Sequence, residues 1–244
     1  MTAVPLPAAV EALYAAFADV PRPLVPPNCS RGCCMSDAHS AALIAPVPVR
    51  ELPADAVVSY ALDAMTTITD VDVLRYLLPR VVELSLHGEV HNREIDHQFS
   101  MLRAARWWTW PEREVAATRQ LMMSWWAATL DDPHARDDRL DGEPTRPDGA
   151  APGTLPTWRL STVLNAIVRA ETDLRPYLDV LVAAIGSQPA TGHLRALMEV
   201  HFGDQLRDPA MLAAVTAAFE VADSEETMDD LVVIDGILRW ERSP

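Results

Sequence analysis

Three thiols fall within six positions of the chain, in Cys29-Ser-Arg-Gly-Cys33-Cys34, and are the residues best suited to binding a soft metal or exchanging sulfur. Thiolates ligate Zn²⁺ and Cu⁺ and attack disulfides, and Arg31 between them would favour the thiolate form. His39 could complete a set of four ligands. Two features oppose a fixed tetrahedral site: Cys33 and Cys34 are adjacent, and no second C-x-x-C half follows downstream. The structural alternative is that the cysteines are small, partly buried apolar side chains tethering an N-terminal arm to the body of the protein.

A second group, His87-Gly-Glu89-Val-His91-Asn-Arg93-Glu94-Ile-Asp96-His97, sets three of the seven histidines among three carboxylates. On a continuous helix His87 and His91 would share a face at i, i+4, and His91 and Glu94 at i, i+3, able to hold a divalent metal or to move protons. The register is not H-E-x-x-H, and Gly88 predicts that the preceding helix ends there. A polar connection capping two helix ends uses the same residues without any chemistry. The metal candidates are therefore Cys29, Cys33, Cys34, His87, His91 and Glu94, with His97 beside them. Zn²⁺ or another transition metal would be the ion, and no further cofactor is expected.

Seven tryptophans are many for 244 residues. Trp107, Trp108 and Trp110 crowd one junction and Trp125 and Trp126 follow one helix later, so Trp107, Trp108, Trp110 and Trp125 could line a small-molecule pocket or anchor an interface. Neighbouring residues on a helix point in different directions, so at least three of these rings are expected in the core. The run Asp131, Asp132, Asp137, Asp138, Asp141 lacks the D-x-D-x-D-G register of a calcium loop. The sequence contains no G-x-S-x-G, no G-x-G-x-x-G and no kinase signature. All 20 basic residues are arginine, which excludes Schiff-base chemistry and a phosphate-cradling P-loop lysine.

The elements that must position these residues read as helices from end to end, and only 9 glycines are available for hairpin turns. Helical spacing predicts segments over 7–20, 53–65, 71–86, 94–107 and 111–130, then 158–170, 176–185, 189–202, 208–222 and 224–240. Asp70 and Asp208 are expected N-caps, Asp208 with proline at the next position, and Pro79 is expected to kink or split its helix. The stretch 131–156, with six aspartates, one glutamate, five prolines and three glycines, reads as a solvated flexible loop. The expected fold is all-α: nine or ten helices packed as antiparallel hairpins, in an irregular bundle or a loose HEAT-like superhelix, since no strict repeat occurs. Residues 1–130 and 157–244 are the two helical halves, forming two units or one continuous domain.

Composition bounds the partners. With 49% hydrophobic and 23% charged residues the chain is of ordinary globular type, and its formal charge of −15 disfavours nucleic acid and anionic membrane surfaces. No apolar run approaches the roughly 18 residues of a membrane span, and Glu11 and Asp19 interrupt any leader-like segment. Three clustered cysteines are no secreted disulfide framework, so a reducing cytoplasm is expected.

The order Pro-rich arm, cysteine cluster, Arg50-Glu51-Leu52, Tyr60-Ala-Leu-Asp-Ala-Met-Thr-Thr, Asp70-Val-Asp72, Leu77-Leu-Pro-Arg80, Trp108-Thr-Trp-Pro111 and Asp173-Leu-Arg-Pro-Tyr-Leu-Asp179 resembles a family of uncharacterised bacterial helical proteins. The likeness runs over most of the chain and implies a helical fold and a bacterial cytoplasmic protein. It transfers no activity and no site residue. The related sequences carry a tighter C-x-C-C cluster than the spacing found here. Abundant helix pairs without a recognised catalytic motif point to a non-enzymatic interaction or accessory protein binding another protein, one with a basic surface suiting the net charge. The alternative is a metal- or thiol-dependent enzyme using the cysteine or histidine group.

Overall fold

Residues 3–29, 31–32, 34–64, 67–89, 92–135, 156–199, 206, 209–222 and 224–240 are described by a computed structural model, in which apolar residues at helical spacing form eleven α-helices. These are α1 Leu6–Ala16, α2 Asp37–Ala42, α3 Ala54–Asp63, α4 Val71–Leu86, α5 Asn92–Ala104 and α6 Glu112–Leu130, then α7 Leu160–Ala170, α8 Arg175–Ala184, α9 Ala190–Glu199, α10 Pro209–Ala218 and α11 Glu225–Trp240. Single 3-10 turns stand at Val49–Glu51 and Trp107–Thr109. Among the described residues there is no strand, so the fold is all-α. The helix beyond the ten predicted is the short α2, whose Ser36 cap accepts from the His39 N–H at 3.1 Å.

Local chemistry explains the helix ends. Asp70 caps α4 by accepting from the Asp72 and Val73 N–H groups (2.9 and 3.2 Å), and Ser224 accepts from Thr227 N–H at the start of α11. At the far end of α4, Gly88 adopts φ +72°. Its N–H reaches the Ser85 carbonyl while that of Glu89 reaches Leu84, the paired bonds of a Schellman turn. Pro79 does not split α4, which runs through it as one element. Leu74, Leu77, Leu78, Val81 and Val82 are buried around it, and tertiary packing of this kind outweighs the bond that proline removes. The Asp208 cap lies outside the described residues.

One apolar cluster draws side chains from α1 through α11. Its main contacts are α1 on α6, α5 on α7 and α9 on α11, so helices far apart in the chain pack directly. A superhelical array restricts each repeat to its neighbours, and the arrangement is instead that of an irregular bundle. Three buried indoles join residues of the two halves: Trp107 Nε1 donates to Ala170 O (3.0 Å), Trp126 Nε1 to Tyr177 O (2.9 Å) and Trp158 Nε1 to Leu86 O (3.1 Å).

The expected loop 131–156 begins as built structure. Asp132 accepts from Thr157 Oγ1 at 2.8 Å, and the Leu160 N–H donates to the carbonyl of the fully buried Ala135. Its stretch 136–155 lies outside the described residues. No helix among the described residues is long and apolar enough to cross a membrane.

Candidate functional site

The cysteine segment is shaped by Asn28. Its Oδ1 accepts from the N–H groups of Cys29 (2.9 Å) and Met35 (3.4 Å), and its Nδ2 donates to Met35 O (3.2 Å), so one side chain joins both ends of the loop. Between them the Gly32 N–H donates to Cys29 O at 2.9 Å, and Gly32 itself takes the left-handed φ of +65° that glycine tolerates without cost. Cys29 and Cys34 are both half-buried, and neither is in a disulfide. Cys34 Sγ donates to Thr67 Oγ1 (3.2 Å), which in turn donates to Asp63 Oδ1 (2.9 Å), tying the loop to the end of α3.

The electrostatics of this pair run opposite to the expectation from Arg31, which is exposed. The neighbouring Cys29, then partial burial and the Asp63 charge, push the Cys34 thiol up to about 11, against an opposing contribution from Thr67. The resting side chain is therefore a neutral thiol. His39, the suggested fourth ligand, turns to Asp55 at 3.5 Å. Among the described residues no group of three or more His, Cys, Asp or Glu side chains could hold a metal, and Cys33 lies outside them.

For the histidine group, the Schellman turn decides the geometry. His87 is the C-cap of α4 and the next helix starts at Asn92, so His87 and His91 do not share the continuous helix that an i, i+4 ligand pair requires. His91 and the side chains of Glu94 and His97 lie outside the described residues.

The tryptophans divide sharply. Trp107, Trp110 and Trp125 are buried, as is Trp126, while Trp108 is 43% exposed. Trp125 packs between Phe99 and Trp158 at centroid distances of 5.4 and 5.7 Å, and Trp110 meets Phe17 edge-on at 5.9 Å. Of the four pocket or interface candidates, Trp108 alone presents a large ring surface to solvent.

Several groups that sequence reasoning did not single out are more highly organised. In a chain without lysine, the well-buried carboxylates among the described residues are each held by arginine: Glu114 by Arg75 (2.8 Å), Glu171 by Arg119 (2.8 Å) and Asp230 by Arg195 (2.9 Å). Glu83 gathers Arg80 (2.6 Å), Arg50 (3.3 Å) and the Tyr14 hydroxyl (2.7 Å), with the Arg50 guanidinium 4.0 Å above the Tyr14 ring. Burial and then the bond to Glu83 raise the Tyr14 hydroxyl well above its ordinary value, which keeps it a donor. These are cross-helix staples rather than acid–base pairs.

Beside this network lies a groove of about 480 Å³ lined by Tyr14, Phe17, Val20, Val47, Tyr76 and Pro79, with Arg22 at its edge. From Arg22 the chain continues into the proline-flanked pair Leu24 and Val25, which are 92% and 74% exposed. A second cleft of about 340 Å³ is lined by Pro133, Gln188, Pro189, Gly192, His193 and Glu226. There the buried His193 sets Nε2 2.8 Å from the Asp132 carbonyl. That oxygen can only accept, so Nε2 is the donor.

No family model, no curated protein and no solved structure matches the chain. The sequence signal that could have pointed to the exposed arm was its composition: four prolines in seven residues around two adjacent aliphatic side chains. For His193 the signal was a histidine preceding the apolar positions Leu194 and Leu197 of a short helix.

Proposed function

We propose that the chain is a non-enzymatic helical protein that binds another protein through the surface formed by the Pro21–Pro27 arm and its adjoining groove. The observation that carries this reading is the exposure of Leu24 and Val25, two aliphatic side chains held in water between prolines. Prolines restrict the unbound arm, so docking it costs less conformational entropy than docking a flexible segment, and the aliphatic pair supplies the apolar contact. Consistent with this reading, the buried carboxylates are absorbed into arginine staples. The formal charge of −15 suits a partner with a basic surface and disfavours nucleic acid, and a bacterial cytoplasm is the setting we propose.

Affinity capture at moderate salt tests the reading, with wild type compared against the double variant Leu24→Asp, Val25→Asp of unchanged melting temperature. One partner recovered in near-equal amount with wild type, and lost with the variant, is the expected result. Repeated failure to recover a stoichiometric partner, or recovery indifferent to the variant, contradicts it. A thiol- or metal-dependent enzyme is the second reading, supported by the place of Cys29 and Cys34 on one short segment clamped by Asn28. Substoichiometric metal by elemental analysis, with melting unchanged by a chelator, would dispose of its metal form.

A further inference from the structure

Helix α11 buries one face in the bundle and leaves an apolar stripe of the other in water. Thr227, Leu231, Ile234 and Leu238 are buried where α11 packs on α9 and α10. On the opposite side Met228 is 37% and Val232 59% exposed, and Glu225, Gly236 and Arg239 are exposed with them. At about 100° per residue, all five lie within about 40° of Val232 around the helix. Gly236 is the odd member. Glycine is a poor residue for a helix interior, and nothing stands within 4 Å of the Cβ it lacks, so no contact among the described residues calls for it.

The stripe reads the same from either end: Glu225, Met228, Val232, Gly236 and Arg239 follow at steps of three, four, four and three residues. We propose that this face is a self-association surface, on which α11 of a second copy of this chain docks antiparallel about a two-fold axis beside Val232. In that register Val232 meets the partner's Val232. Met228 stands level with the partner's Gly236, whose missing side chain leaves room for it, and Glu225 stands level with the partner's Arg239. Each of the last two contacts occurs twice, as an isologous dimer requires. A parallel register would instead set Glu225 against the partner's Glu225 and Arg239 against the partner's Arg239, so charge selects the antiparallel one. Asp229 and Asp235 flank the stripe by about 60° on opposite sides. Asp235 engages only Nε of Arg239, at 2.7 and 2.8 Å, which leaves the outer guanidinium nitrogens to reach the partner's Glu225.

The helix has 16 residues, about four turns. Two copies meeting along one such helix bury an area at the small end of specific interfaces, so the pair is expected to come apart on dilution to low micromolar concentration. Each chain also carries a formal charge of −15, whose repulsion opposes docking at low salt. At about 0.15 M salt the Debye length is about 8 Å, so charges spread over the two surfaces are screened while the close contacts of the stripe are screened far less. The inference stands whether or not the Pro21–Pro27 arm docks a partner.

Sedimentation of the full-length chain at about 0.15 M salt, from about 1 µM to about 1 mM protein, reads the mass in solution. The expected wild-type result is a rise from the mass of one chain toward that of two. Val232→Asp sets two carboxylates at the axis on a position already exposed, and should raise the dissociation constant at least about tenfold with circular dichroism unchanged. Glu225→Arg and Arg239→Glu should each weaken the dimer by setting like charges level, and the double exchange Glu225→Arg, Arg239→Glu should restore it. A wild type that keeps the mass of one chain at the highest concentration overturns the proposal. So does a dimer indifferent to Val232→Asp, and so does a helical double exchange that fails to recover what the single changes lost.

Discussion

Arg75 grips Glu114 through two parallel hydrogen bonds, Nε to Oε2 at 2.9 Å and Nη2 to Oε1 at 2.8 Å, joining α4 to α6. Glu114 is 1% exposed, so its charge depends on this arginine for compensation. Breaking a buried pair from one side leaves the other charge stranded, and Arg75→Ala should cost about 3 kcal/mol in urea unfolding. The double change Arg75→Met, Glu114→Leu should recover most of that loss, because it removes the buried charge together with its partner. A double variant as unstable as the single one would show that the pair does more than neutralise itself.

The adjacent tryptophans should differ in energetic weight. Phenylalanine at Trp107, Trp126 or Trp158 keeps most of the ring but deletes the N–H that satisfies the carbonyl of Ala170, Tyr177 or Leu86. Each substitution should cost about 1–3 kcal/mol, the penalty of a stranded buried acceptor. Trp108→Phe, at a surface position, should stay within about 0.5 kcal/mol. Thermal unfolding of the four variants checks the ranking, and a costly Trp108→Phe would contradict the placement of the cluster.

What the sequence made legible was local. Asp70, Gly88 and Ser224 mark helix ends because their signals act over two to five residues, and the same range hides what comes from farther away. That α4 runs unsplit through Pro79 was hidden, because the packing of Leu74, Leu78 and Val82 arrives from other helices. The short α2 has no apolar stripe to announce it. At the site, the crowding of three cysteines was visible, but the shape of their segment depends on the Asn28 clamp and on Thr67 from another element. The arginine staples join residues 39 and 35 positions apart, and His193 finds Asp132 across 61, distances that no periodicity encodes.

Two glycines predict opposite outcomes for the same substitution. Gly186 has φ +107°, and a Cβ there would lie 3.1 Å from Val221 Cγ2, so Gly186→Ala meets both a strained backbone and a crowded neighbour. It should destabilise by about 1 kcal/mol or more. Gly236 lies inside α11, exposed, with nothing within 4 Å of its would-be Cβ. Gly236→Ala should stabilise by up to about 1 kcal/mol, the difference in helix propensity. Equal effects in chemical denaturation would contradict the description of one of the two positions.

Cys34 should declare its partner through pH. Its thiol is held above the ordinary 9.0, at about 11, chiefly by the neighbouring Cys29, so folding favours the neutral form. That contribution is complete below pH 9.0 and is lost as pH climbs through about 11. In Cys33→Ser protein, iodoacetamide should label Cys34 slowly near neutrality and accelerate across that window. Removing Cys29 as well should move the midpoint back toward 9.0. At about pH 8 the thiolate fraction would then rise up to roughly a hundredfold, while the more acidic thiolate is intrinsically less nucleophilic, for a net gain of about tenfold. A labelling profile that ignores the loss of Cys29 would mean that Cys29 is not what raises the Cys34 thiol.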